Sequence, residues 1–151
     1  MLTRKSKYGL KALLLMARDP ERAMLASEIA EAEGIPKKFL QLILLDLKRR
    51  GMVKSRRGKN GGYQLARPPE EIHLGAVMRA LEGPLALTPC ASETAYHRCD
   101  ECQDELACGI QLVMRQVRDA TAAILEAATL DKVNAAVDAR VSKARRKGKR
   151  S

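Results

Sequence analysis

Four thiols carry the strongest chemistry in this 151-residue sequence. Cys90, Cys99, Cys102 and Cys108 all fall within residues 90–108, spaced Cys-x8-Cys-x2-Cys-x5-Cys, and no other position holds cysteine. Thiolates are soft ligands that select iron–sulfur clusters, zinc or copper(I), and four of them complete a ligand set without outside help. A structural zinc site normally shows two close pairs. Only Cys99 and Cys102 form such a pair here, so the spacing allows zinc without favouring it. The same pair offers a third chemistry, a reversible disulfide made without metal. His97 is a nitrogen donor inside the stretch, in competition with the cysteines around it. Catalysis is not in view: there is no nucleophile–base pair, no glycine-rich loop at a strand–helix junction, and only two histidines.

Charge separates the chain into parts. Residues 1–68 hold 16 Lys and Arg against 6 Asp and Glu, whereas residues 69–139 hold 5 against 12. A basic first part followed by an acidic middle implies a domain that binds a polyanion. Residues 140–151 add 7 basic and no acidic side chains. A tail of this composition has nothing to pack, so residues 141–151 are expected to be disordered, either simply solvated or adding non-specific affinity for nucleic acid. The apolar run at residues 12–17 is far too short for a signal peptide or a membrane span. The expected location is the cytoplasm, with no membrane partner. In that reducing compartment clustered cysteines serve metal or redox chemistry more than structural disulfides.

The elements that position these groups follow from hydrophobic spacing and breakers. Residues 3–18 predict an amphipathic helix through Tyr8, Ala12, Leu15 and Met16, stopped at Asp19-Pro20. A second helix is expected over residues 26–33 with Gly34 as its cap. Ile35-Pro36 opens a third, running to about Arg50, with Phe39, Leu40, Ile43, Leu44 and Leu47 at i, i+3, i+4 spacing. Two helices joined by a tight turn form a helix-turn-helix. Lys37, Lys38 and Gln41 then stand on the exposed first turns of its recognition helix, where Lys meets guanine or only phosphate and Gln meets adenine. Residues 52–55 and 62–65 read as two short strands, and Asn60-Gly61 between them predicts a type I′ turn. The resulting basic hairpin is a wing. Arg57 is expected in the minor groove, with Arg56 and Lys59 neutralising the backbone.

Beyond the wing, residues 72–82 predict a short helix ending at Gly83-Pro84. A long helix is expected from about Asp104 to Ala127 or Ala128. Leu106, Ile110, Val113, Val117, Ala120 and Ile124 recur every four and three residues along it, an a/d seam for pairing with a second copy. Leu112, Met114 and Leu125 are expected to pack on the winged helix instead. His73 is expected at the surface, and a last short helix over residues 130–140. The fold class is therefore mainly α: a winged helix-turn-helix with a small β-hairpin and a long C-terminal dimerisation helix. Its expected parts are a DNA-binding domain at residues 1–83, a cysteine-rich sensor loop at 84–108, a dimerisation region at 104–140 and the tail.

With these pieces in place the sequence resembles the Rrf-two family of bacterial winged-helix transcription regulators over roughly residues 1–138. The resemblance rests on Leu2-Thr3 leading to Tyr8, on the Arg57-Gly58…Gly61-Gly62-Tyr63 wing, and on a cysteine group followed by a long helix. It implies a homodimer that binds palindromic promoter DNA, as a repressor, with an iron–sulfur cluster of 2Fe-2S or 4Fe-4S type as cofactor. Many members hold the cluster with three cysteines and one further ligand. By position Cys90 and Cys108 match the outer cysteines, and either Cys99 or Cys102 the middle one. Where some members carry a ligating His three residues after the last cysteine, this chain has Gln111. Where others carry an acidic ligand in the first helix, it has Tyr8 or a basic neighbour. The resemblance thus implies cluster ligation by the four cysteines; the rival is a metal-independent repressor that senses thiol oxidation or a small effector, or one with a structural zinc.

Overall fold

Thr3 starts the first helix: its hydroxyl accepts the Ser6 backbone N–H at 3.2 Å, and α1 then runs over Arg4–Met16. The computed structural model describes residues 2–148. Helix α2 (Ala26–Glu33) ends at Gly34, whose φ of 64° is a left-handed cap that favours glycine. Pro36 then leads into α3 (Lys37–Arg49). Leu13 and Met16 of α1, Ile29 of α2 and Leu40, Ile43, Leu44 and Leu47 of α3 close a core with almost no solvent contact. Burial of this kind is the main favourable term holding the three helices together.

Strands β1 (Val53–Arg56) and β2 (Gly62–Leu65) form an antiparallel hairpin, with Val53 opposite Leu65 and Arg56 opposite Gly62. That register leaves five residues, 57–61, in the connection. The type I′ turn expected at Asn60-Gly61 does not form: among the described residues no residue other than glycine has positive φ, and the positive-φ glycines here are Gly58 and Gly62. The loop is too long for a two-residue turn, and it closes instead through the Gly61 N–H on the Gly58 carbonyl at 3.0 Å. A Cβ at Gly62 would strike the Met24 backbone. This close approach lets Met24 and Tyr63 exchange hydrogen bonds of 2.8 and 2.7 Å, which seats the wing against the segment before α2.

Helix α4 (Leu74–Glu82) packs on α1 and α3. Thr3 N–H donates to the Glu82 carboxylate at 2.8 Å. Hydrogen bonds from Ser6 and then Thr3 hold that carboxyl below its ordinary range. The C-terminal part comprises α5 (Gly109–Ala127) and α6 (Leu130–Gly148). Helix α5 starts at Gly109 rather than near Asp104. The Asp104 carboxylate folds the preceding backbone by accepting the Leu106 N–H at 2.9 Å, and Cys108 supplies the cap. Leu106 therefore lies outside the helix whose seam it was expected to begin.

The C-terminal helices dock on the N-terminal helices, and the links are specific. Leu74 N–H donates to Ala128 O at 2.8 Å, Leu130 N–H donates to Ile72 O at 3.1 Å, and His73 bridges Thr129. Leu130 is 0% exposed and joins the core built by the N-terminal helices. Helix α6 then lies along α1, where Asn134 donates to Leu14 O at 3.0 Å and Arg18 grips both Asp138 oxygens at 2.7–2.8 Å. Residues 141–148, expected to be disordered, continue this helix, while residues 149–151 of that expected tail lie outside the described residues. The reason is intrinsic propensity. Ala, Lys and Arg are strong helix formers, no breaker precedes Gly148, and Arg145, Arg146 and Lys147 complement the helix dipole at its end. Among the described residues no helix is long and apolar enough to cross a membrane.

Candidate DNA-binding face and thiol site

Helix α3 buries one side and turns the other outward. Lys37, Lys38 and Gln41 are exposed on its first turns, as the helical spacing predicts. Its only acid, Asp46, is neutralised by Lys5, whose ammonium stands 2.6 Å from it. The Lys5 hydrogen bond, with Arg49 and Arg50 nearby, lowers the Asp46 pKa from its ordinary value. The outward face is thereby left positive. Lys48 donates to the Ser55 hydroxyl at 2.6 Å and ties α3 to β1. Arg56, Arg57 and Lys59 project from the hairpin and are all exposed. The start of α3 and the hairpin are thus both basic and exposed, the two parts that a winged helix offers to a duplex. Sequence spacing gives no sign that Leu42 and Leu45 lie outside the core, yet both are exposed on α3.

The thiol site begins at a short 3-10 turn, Pro89–Ala91. Cys90 is buried in it, and its S–H donates to the Thr88 hydroxyl at 3.5 Å. The chain loops out through exposed residues and returns, because the His97 N–H donates to Pro89 O at 3.2 Å. This return brings Cys99 Sγ to 3.7 Å from Cys90 Sγ. The contact raises the Cys99 thiol pKa, through hydrogen bonding to Cys90 first and then the charge of the other three cysteines. A turn follows, with Cys102 N–H on Cys99 O at 3.0 Å, braced by Arg98 on the carbonyls of Cys102 and Gln103 at 3.0 and 3.1 Å. Tyr96 donates to the Glu105 carboxylate, which raises the phenol's pKa. The pair in contact is therefore Cys90–Cys99, and not Cys99–Cys102, the pair that close spacing offers as one option.

Helix α5 holds the other end. Cys108 caps it, with Sγ accepting the Gln111 N–H at 3.4 Å. The Gln111 side chain, 6% exposed, donates to Cys90 O at 3.1 Å. Two turns along, Arg118 donates to Ala91 O at 2.6 Å, with Asp119 and Glu93 beside its guanidinium at 2.5 and 3.5 Å. Gln111 thus links the outer two cysteines, a role that only the folded loop reveals. Four thiols within one segment suit a soft metal or an iron–sulfur cluster. Among the described residues, however, no three His, Cys, Asp or Glu side chains are already gathered around one point. Ligation by all four cysteines requires the exposed stretch between Cys99 and Cys108 to close on Cys90.

Two expectations about neighbouring residues change. His73 is half-buried and not a surface group, since its Nδ1 meets Glu126 O at 2.6 Å across the docking contact. Leu112 does not pack on the winged helix and is exposed. Met114 and Leu125 are only partly covered. The opposite edge of α5 displays Ile110, Val113, Val117 and Ile124, all exposed in the single chain.

Comparison with known proteins places this geometry. The family model Rrf2, described as an iron-dependent transcriptional regulator, matches residues 2–136. An rrf2-like helix-turn-helix-type transcriptional regulator of Rhodobacter capsulatus is 43% identical over 140 residues, 90% of this chain and 93% of that protein. Among solved structures, CymR, the global cysteine regulator of B. subtilis, is similar with a TM-score of 0.73 and 28% identity, over 89% of this chain and 96% of that one. IscR of T. potens is similar with a TM-score of 0.70 and 27% identity, over 92% and 88%.

Proposed function

The chain belongs to the Rrf2 family of transcriptional regulators, and from that premise we propose that it binds promoter DNA as a homodimer under the control of an iron–sulfur cluster. It is a regulator and not an enzyme. Lys37, Lys38 and Gln41 enter the major groove, while Arg56, Arg57 and Lys59 serve the wing. Cys90, Cys99, Cys102 and Cys108 hold the cluster. The observation that carries this reading is that all four thiols fall in the one segment leading from α4 into α5, with both outer cysteines hydrogen-bonded to Gln111.

The exposed edge of α5, from Ile110 to Ile124, supports the dimer. Pairing it with a second copy about a two-fold axis would cover these apolar side chains and set two recognition helices about one DNA turn apart. When bound, the cluster supplies metal–thiolate bonds that form and break with iron supply and oxidation. The chain does the rest. Gln111 and Arg118 hold residues 90–91 against α5, so ligation at Cys90 and Cys108 makes the loop and the dimer helix one ordered unit. Loss of the ligands' shared partner frees the loop and shifts the population of DNA-competent dimers, an order–disorder switch. Replacing each cysteine by Ala, and measuring iron and sulfide content together with promoter binding, tests this. Loss of cluster with each variant, accompanied by changed binding, is the expected result. A cluster-free variant that binds as the cluster-loaded protein does would refute the coupling.

The Cys90–Cys99 contact at 3.7 Å favours one second reading. Without metal, these two thiols and hydrogen peroxide would give a disulfide and two waters, a thiol switch at the same loop. Mass spectrometry of metal-free protein after peroxide distinguishes it: a Cys90–Cys99 crosslink with altered promoter binding supports the switch, and unchanged binding opposes it.

A further inference from the structure

Helix α3 carries two leucines where a solvent-facing helix normally carries polar groups. Leu42 is 62% exposed and Leu45 is 39% exposed, while Leu40, Ile43, Leu44 and Leu47 on the other side are fully buried. Lys38, Gln41, Leu42 and Leu45 lie at i, i+3, i+4 and i+7, so they form one outward stripe. The stripe is framed by Lys37, Lys48, Arg49 and Arg50. An apolar protein partner is a poor match for such a frame; a polyanion with an apolar feature is a good one. The major groove of DNA offers that feature in the thymine 5-methyl group, which no other base carries.

We propose that Leu42 is a specificity-determining residue that packs on a thymine methyl in the major groove, beside the base edge addressed by Gln41. Leu42 is the sixth residue of α3, counted from Lys37, and so lies within the first two turns, the end that enters the groove. Leu45 stands one turn further along and shields the same contact from water. Operators of this protein therefore require thymine next to the position read by Gln41. The inference rests on the DNA-binding reading given above and deepens it.

The full-length protein, purified anaerobically, is used to select duplexes from a random library. The enriched pool is copied once with dTTP and once with dUTP, which yields the same sequences with and without the 5-methyl group. Wild-type protein should bind the dU copy about fourfold more weakly per half-site, the equivalent of one buried methyl group. Leu42→Ala should bind the dT copy with a comparable loss and no longer distinguish the two copies. Alanine at this exposed helical position retains helix propensity, so folding is preserved. Arg57→Ala should lower affinity yet keep the distinction, because the wing addresses the minor groove, where no 5-methyl group lies. That comparison separates a methyl contact from altered base stacking. Equal wild-type affinity for both copies, or undiminished discrimination by Leu42→Ala, overturns the proposal. Failure to enrich any duplex sinks the DNA-binding reading itself, and this inference with it.

Discussion

Gln111→Ala should unfasten the cysteine segment from α5, and the size of the effect follows from the geometry. Gln111 is 6% exposed and spends its amide on the carbonyl of Cys90 at 3.1 Å. Such a bond contributes about 1 kcal/mol net, and an orphaned buried acceptor costs about 1–3 kcal/mol. Local opening of residues 89–92 should therefore become roughly 5- to 150-fold more populated. Cys90 reports this directly, since its sulfur is buried in the closed form. In metal-free protein with Cys99, Cys102 and Cys108 changed to Ser, the rate of Cys90 labelling by a thiol reagent should rise by that factor, because labelling waits on opening. Gln111→Glu keeps the shape but sets a carboxylate against a carbonyl, so it should label at least as fast. Arg118 holds the next carbonyl, Ala91 O, and Arg118→Ala should add to the effect. Labelling of Gln111→Ala at the parental rate would refute the idea that this side chain clamps the loop.

Three further outcomes are expected. Val113→Glu with Val117→Glu places charge on the exposed edge of α5 and should yield monomers by light scattering where the parent protein is a dimer; a persistent dimer would move the interface elsewhere. Leu130→Ala empties a fully buried position where α6 meets the core, so chemical denaturation should show a loss of about 2–5 kcal/mol, and an unchanged midpoint would mean that the C-terminal helices dock only loosely. Glu82 has its carboxyl pKa lowered by Ser6 and then Thr3, so its contribution is present above the unfolded-state value, about 4.3, and disappears as pH falls through the lowered folded value. Glu82→Gln should accordingly flatten the acid limb of the stability profile and leave its alkaline limb alone; identical acid limbs would refute the assignment.

The winged helix-turn-helix was legible because its signals are local. Gly34 marks the turn, the Leu40–Leu47 spacing marks the buried face of α3, and Lys37, Lys38 and Gln41 fall opposite that face. Local reasoning failed where distant backbone decides. Asn60-Gly61 has the composition of a type I′ turn, but the pairing of Arg56 with Gly62 fixes a five-residue loop. Close spacing offers Cys99 and Cys102 as a redox pair beside the metal readings, whereas the hydrogen bond from His97 to Pro89 folds Cys99 back to Cys90. His73 looked like a surface residue because its partners, Glu126 and Thr129, lie more than fifty positions away. The extent of α6 was hidden for another reason: a basic tail with little to pack reads as disordered, although Ala, Lys and Arg favour helix without any packing. Leu42 is not legible in the sequence because periodicity assigns leucines to a core by type, and only exposure shows which ones are outside.

If thiol ligation in residues 90–108 controls DNA binding by α3 and the wing, promoter affinity must follow the iron content of the protein. The most direct measurement is the promoter affinity of one anaerobic preparation before and after its iron is removed by a chelator, with iron content and visible absorbance followed in the same samples. The expected result is an iron–sulfur absorbance that disappears on chelation, together with a change in affinity that is restored when the cluster is rebuilt and is absent in Cys90→Ala. Protein that carries no iron as isolated, or whose affinity is the same with and without it, would rule out control of DNA binding by a cluster at this loop.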